Sequence, residues 1–365
     1  MLNRFRLPVR AFAWLSSLLI FGTLSCETDV EINAPREDVT VVYGLLDQNE
    51  AFHYVKINRA FQVESNALEA AQIRDSSEYD PSTVTALVQA LDASGDVVVT
   101  YTLRDTVLSN KEEGTFFSPD QTLYYFVEPN LNPERSYRLD ITIGQGENAK
   151  KVTAETPIIN SFSFSSFILS PIPFSLYSGG QFQDEANVAW TRGTDAKRYE
   201  LKAVYRYRDI LTDGSETVHS VEWVLGTETV TNPTSGGSAL DVEFNTEDFY
   251  RLLSNRVPAF QETPNLARRV PSPCITFRVD AAGDDLNTFI EVNEPATSIV
   301  QERPEFTNVT NGIGIWSCRF AIAVDKLLSD DSIEELVNST EGYTETLNFC
   351  NPLLPNNNCG DGTCL

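Results

Sequence analysis

The sequence predicts a mainly β chain, built as two tandem β-sandwich domains with short helices in insertions. Three observations carry this reading. Short runs rich in Val, Ile, Tyr and Phe recur along the chain, separated by turns containing Gly, Asp and Asn. Several runs alternate apolar and polar residues, as a sheet with one buried face requires. Hydrophobic residues make up 41% and aromatics 10% of the 365 residues, which supports two cores of ordinary size and excludes a mainly disordered chain.

Residues 1–25 read as an export signal. Arg4, Arg6 and Arg10 precede an apolar run, 11–24, that is too short to span a bilayer. Leu24 and Ser25 before Cys26 resemble a lipobox, with Thr23 standing where Leu or Val is usual. The resemblance makes Cys26 the lipid-attachment residue; the other reading is an ordinary secretory signal cleaved nearby. Residues 26–37 are polar, acidic and broken by Pro35, and read as a tether.

The first sandwich is expected over 38–157. Runs at 39–46 and 53–58 flank a polar turn at 47–49. Asn66 caps a short helix through Ala67, Leu68, Ala70 and Ala71. Strands resume at 83–91 and 97–103 around the turn 92–96, and continue at 123–127, 137–143 and 149–156, where Pro157 stops them. Leu131-Asn132-Pro133 ahead of Tyr137 resembles the tyrosine corner of immunoglobulin-like folds.

The second domain is expected over 158–349. Residues 161–178 place Phe162, Phe164, Phe167, Ile168, Phe174 and Tyr177 among serines, either as a buried first strand or as an exposed docking patch. Val188-Ala189-Trp190, a turn at 193–195 and the run from Ala196 through Tyr199 resemble two successive fibronectin type III strands. Tyr199, Leu201, Ala203, Tyr205 and Tyr207 then share one face. A strand is expected at 218–225 and a helix at 247–255, capped by Asn245 or Thr246, with Phe249, Leu252 and Leu253 on one side. Pro258, Pro264, Pro271 and Pro273 mark an irregular loop carrying Arg268 and Arg269. Strands return at 274–279, 288–292 and 313–324, and Ser332 with Glu335 makes a capping box for a last short helix.

Residues 350–365 form a Cys-rich tail. In an oxidising exported setting Cys274, Cys318, Cys350, Cys359 and Cys364 are disulfide candidates, but five is odd, so at least one stays free or pairs elsewhere. Cys359 and Cys364 bracket a four-residue turn able to close a ring. The alternative is that Cys350 staples the tail through 351–358.

A formal net charge of −25 argues against a nucleic-acid partner, whose phosphates demand a basic footprint. Removing 1–25 takes away three arginines and no acid. No nucleophile elbow, phosphate loop or zinc-binding spacing is present. His53 and His219, the two histidines, read as sheet positions. A glycosidase needs only two carboxylates, which 52 acidic residues supply without meaning. Asp280, Asp284 and Asp285 around a turn, and the pair Asp330-Asp331, are oxygen-ligand candidates for Ca²⁺ that lack EF-hand spacing and read as solvated turns. The expectation is a non-enzyme with no metal and no cofactor.

Two triplets, Asp105-Thr106-Val107 and Asp331-Ser332-Ile333, resemble the motif O-glycosylated on exported Bacteroidota proteins, which implies Thr106 and Ser332 as acceptors. Glu27, Asp29 and Glu31 after Cys26 resemble the surface-export signal of lipoproteins from that phylum. Three further stretches, 42–61 (VYGLLDQNEAFHYVKINRAF), 66–79 (NALEAAQIRDSSEY) and 306–319 (FTNVTNGIGIWSCR), resemble its uncharacterised two-domain surface lipoproteins, a domain of unknown function. The resemblance implies an outward-facing, lipid-anchored outer-membrane protein, and the frequent company of TonB-dependent transporters implies a barrel partner. The expected role is therefore a binding or accessory subunit beside an outer-membrane barrel. The alternative is a stand-alone surface adhesin or structural lipoprotein.

Overall fold

The alternating runs fold as strands with one parity turned inward, and the chain is mainly β, 47% strand against 17% helix. The structure, a computed structural model, describes residues 39–60, 66–261, 266–294, 305–353, 359 and 364. The expected signal peptide, Cys26 and the tether lie outside the described residues.

The first half contains β1 (Thr40–Asp47), β2 (Phe52–Arg59), α1 (Ala67–Ala71), α2 (Arg74–Ser77), β3 (Val84–Leu91), β4 (Val97–Thr102), β5 (Arg104–Leu108) and β6 (Gln121–Val127). It continues with β7 (Ser136–Ile143), β8 (Lys150–Pro157), α3 (Ser166–Leu169), β9 (Tyr177–Ser178) and β10 (Gln181–Phe182). Then come β11 (Ala186–Thr191), β12 (Arg198–Leu211), β13 (Glu216–Thr229), β14 (Ala239–Phe244) and α4 (Glu247–Arg256). The last elements are β15 (Leu266–Ala282), α5 (Asp284–Asn293), β16 (Ile313–Leu327) and α6 (Asp330–Asn338).

One sheet crosses the expected domain boundary. Its order is β13-β12-β15-β16-β1-β2-β6-β5, with β1 and β16 parallel and every other pair antiparallel. A free-standing N-terminal sandwich would leave β1 an open edge; pairing Val41 through Asp47 with Ile313 through Arg319 satisfies that edge instead. The tandem-domain expectation is corrected accordingly: residues 39–365 form one compact unit. Ile158 and Ile159, at the expected boundary, are fully buried.

The second layers sit on the inner face of this sheet. A four-stranded sheet, β4-β3-β7-β8, contributes Val88, Tyr137, Leu139 and Ile141 to the same core as Val42, Val55 and Phe126. At the other end the β11-β14 pair brings Val188, Trp190 and Val242 against β12 and β13. Trp190 and Tyr199 lie 6.1 Å apart across strands of different sheets. Glycine is needed where β1 meets β16: Gly314 has φ +113, and a side chain there would collide with the Val42 carbonyl. At Gly44 a Cβ would lie 2.6 Å from the Trp316 ring.

Two tyrosine hydroxyls fix the chain before their own strands. The Asn132 amide donates to the Tyr137 hydroxyl at 2.8 Å, and the Gly193 amide donates to that of Tyr199 at 2.9 Å. Asn66 caps α1 through the Leu68 amide, and Asn245 accepts from Glu247 at the start of α4.

Other expectations differ from the fold. Arg268, Arg269, Pro271 and Pro273 belong to strand β15 rather than a loop. β15 runs past the end of β16 there, so neither proline faces that strand, and Pro273 falls where the register against β12 breaks between Tyr205 and Tyr207, while Pro271 sits opposite Tyr207. Pro264 lies outside the described residues. Residues 288–292 are helical, within α5, because Gly283, Asp284 and Asp285 start a helix whose first turn favours acids. The 161–178 segment is strand only at its end, where Tyr177 and Ser178 form β9. It buries Phe162, Phe164, Ile168, Phe174 and Tyr177 but leaves Phe167, Leu169 and Ile172 exposed around α3. Buried Lys326 holds that turn by donating to the carbonyls of Phe167 and Ser170.

Candidate binding face

The outer face of the large sheet carries the site. Strand β2 has aromatic residues at both parities: His53 points inward, whereas Phe52 and Tyr54 point outward. The same holds in β6, where Tyr124 and Phe126 are buried and Tyr125 faces out, half-buried. Both faces of a strand cannot enter one core, so one aromatic set must stay outside. Tyr43, Phe52 and Tyr54 are 48%, 50% and 40% exposed.

The rings brace one another. Tyr125 lies 6.0 Å from Phe52 and 5.9 Å from Tyr54, with interplanar angles of 37° and 40°. Phe52 and Tyr54 are 6.5 Å apart and within 17° of parallel. Opposite them α5 packs on β16 and β1, with Phe289 set edge-on to Tyr43 at 6.3 Å. The helix is seated by close approach of Gly283 to Cys318, and by Asn308, whose side-chain amide donates to the Asp285 carboxylate and the Trp316 carbonyl. Burial raises the Asp285 carboxyl above its ordinary value against the opposing pull of Asn308.

Two open hollows flank α5 and share Asp47, Leu286 and Arg319. One, of about 660 Å³, lies between Phe289 and the Phe52–Tyr54 pair. Toward the β1–β2 turn its fringe is polar, with Glu50 and with Asp47, whose carboxylate accepts from the Asn49 amide and from Arg319 Nε. The other hollow, of about 510 Å³, is lined by interleaved charges. Lys202 lies 2.8 Å from Glu200, 3.6 Å from Glu222 and 3.7 Å from Asp280. The hydrogen bond that Lys202 donates to Glu200, opposed by burial, leaves the Lys202 amine above its usual value. Such pairs near the surface stabilise little, and along the whole hollow four acids balance four bases.

The histidines occupy sheet positions. His53 is buried, its Nε2 2.9 Å from the Glu128 carbonyl, and burial pulls its pKa down. His219 stacks on Tyr207 at 4.8 Å and lies 3.3 Å from Asp209, which Arg269 grips with two bonds of 2.8 and 3.1 Å. Arg269 also donates to the Pro258 carbonyl and lies over Tyr207, so its donors tie β15 to β12 beneath the tail.

The remaining expected sites are distributed as follows. Cys350 pairs with Cys359, and Cys274 with Cys364, so the Cys359–Cys364 ring is not formed. Cys318 is excluded from any disulfide: it is free and buried, and burial pushes its thiol up to about 12. Thr106 is half-buried on edge strand β5 between exposed Asp105 and Val107. Ser332 is fully buried, its hydroxyl accepting from the Leu176 and Tyr177 amides. It is therefore corrected as a glycan acceptor in the folded protein. It is not the helix cap either, since Ser329 fills that role by accepting from the Ser332 amide. Asp284 and Asp285 begin α5 rather than a hairpin turn. Among the described residues no three His, Cys, Asp or Glu side chains are grouped to hold a metal ion, and no helix is long and apolar enough to cross a membrane.

Comparison with protein-family models and with curated protein sequences gives no match.

Proposed function

We propose that the protein is a lipid-anchored surface protein of the outer membrane that works by binding, as an accessory subunit beside an outer-membrane barrel such as a TonB-dependent transporter. The address is supported by the apolar segment before Cys26, the acids after it and the resemblance of three stretches to surface lipoproteins. The binding role is carried by one observation: braced, half-exposed aromatic rings on the outer sheet face, beside a hollow with a polar fringe. Covering such rings contributes roughly 1–2 kcal/mol each. Pre-bracing lowers the entropy lost on association. The histidines are engaged within the sheet, so binding rather than catalysis is the reading.

Affinity purification of the lipidated protein from gently solubilised outer membranes tests the proposal. A barrel protein recovered in near-equal amount supports it. Recovery of this chain alone contradicts it and leaves the stand-alone adhesin.

A further inference from the structure

We infer that the groove between α5 and β2 binds a neutral saccharide chain. The inference rests on the reading of this sheet face as a binding face and names the chemistry of its ligand.

Three features select that class. First, Phe52 and Tyr54 line the hollow and Tyr125 braces both, with mutual ring angles of 17°, 37° and 40° and centroids 5.9–6.5 Å apart. A ring face is the electron-rich side of the aromatic quadrupole, and the polarised C–H face of a pyranose is its natural complement. Second, the fringe alternates acceptor and donor. Asp47, Glu50 and Arg319 line the same hollow, and the Arg319 side chain is 55% exposed beyond its bond to Asp47. Hydroxyl groups along the edge of a sugar both donate and accept, so they match such a fringe without carrying charge. Third, the groove is open. A wholly apolar ligand laid on half-exposed rings keeps much of its surface in water, whereas an amphipathic sugar needs only one face covered.

Charge removes the main competitor. Single-stranded nucleic acid uses the same stacking chemistry, but it requires a basic track, and this chain carries −25. Acidic polysaccharides are disfavoured on the same ground. A stacking ligand with hydroxyl edges and no charge remains.

The test is calorimetric titration of the purified lipoprotein in detergent with cello-, malto-, xylo-, manno- and chitohexaose as probes. Binding of at least one is expected, weakened about tenfold or more by Phe52→Ala or Tyr54→Ala. Tyr54→Trp should retain it, and Val218→Thr, an exposed substitution on β13, should leave it unchanged. Because Phe52 and Tyr54 are half exposed, the alanine variants should keep the thermal midpoint of the parent. Absence of binding to every probe, or equal binding by the alanine variants, overturns the inference. If no probe binds and the double alanine variant loses a co-purifying barrel, the face docks protein, and the accessory-subunit proposal survives alone. If a probe binds while no barrel is recovered, the saccharide inference stands without that proposal.

Discussion

The indole nitrogen of Trp316 donates to the main-chain carbonyl of Tyr137 at 2.8 Å, joining residues 179 positions apart in the chain. The bond ties β16 of the large sheet to β7 of the small one, and Gly44 leaves the space the indole fills. Both expected halves of the chain thus share one core. Denaturant unfolding should show a single transition for residues 39–349. Trp316→Ala should cost about 3–5 kcal/mol across that whole transition, and Gly44→Ala about 1–3 kcal/mol through overpacking. Two resolved transitions, only one of them moved by Trp316→Ala, would contradict a shared core.

The cysteines give a second test. The Cys274–Cys364 loop closes 90 residues and the Cys350–Cys359 loop only 9. Loop-closure entropy then gives roughly 4–5 kcal/mol for the first and 2–3 for the second. Paired Cys→Ser variants should lower the urea midpoint in that order. Cys318 should take up iodoacetamide only after denaturation, because burial keeps its thiol protonated. Rapid modification in the native protein would show that the packing of Gly283 on Cys318 opens.

Acid should weaken the fold through Glu78. Burial raises this carboxyl, but bonds from Thr122, Lys56 and Arg74 outweigh burial and hold it down at about 2. A carboxylate depressed on folding stabilises above its unfolded pKa and loses that contribution as pH falls through the folded value. The loss should fall between about pH 4.5 and 2, with an upper bound of about 3 kcal/mol. The pair is asymmetric, because burial also pulls Lys56 down against the pull of Glu78, so the net effect is smaller than the carboxylate alone gives. Glu78→Gln should flatten the fall in stability over this window; an unchanged acid limb would assign it to other groups.

Any glycan on the two Asp-Ser/Thr-aliphatic triplets should sit on Thr106. Intact mass of the exported protein should fall on Thr106→Ala and stay at the parent value, beyond the substitution itself, on Ser332→Ala. The second variant should instead lose stability, about 1–3 kcal/mol, because two buried amides lose their acceptor. A glycan mass lost on Ser332→Ala would show that modification precedes burial.

Local pattern made much of this legible. The alternation Tyr199, Leu201, Ala203, Tyr205, Tyr207 is the buried face of β12, and Leu131-Asn132-Pro133 before Tyr137 announces a hydroxyl–backbone bond that the structure contains. Pairings between distant segments left no such trace. The β1–β16 ladder joins residues about 270 positions apart through a parallel contact that neither strand encodes locally. Residues 288–292 are β-prone by composition, yet the acidic start after Gly283 and packing on β16 make them helix. The aromatic face was present as a signal in Phe52, Tyr54 and Tyr125, whose parity opposes that of the buried His53, Tyr124 and Phe126.

The central claim is that an outward-facing protein presents this aromatic sheet face to the cell exterior. Val127 is exposed on the same face of β6 as Tyr125, so Val127→Cys labelled with a membrane-impermeant maleimide tests it most directly. Intact cells should label as fully as opened cells. Labelling only after the outer membrane is breached would place the face inside and contradict the account.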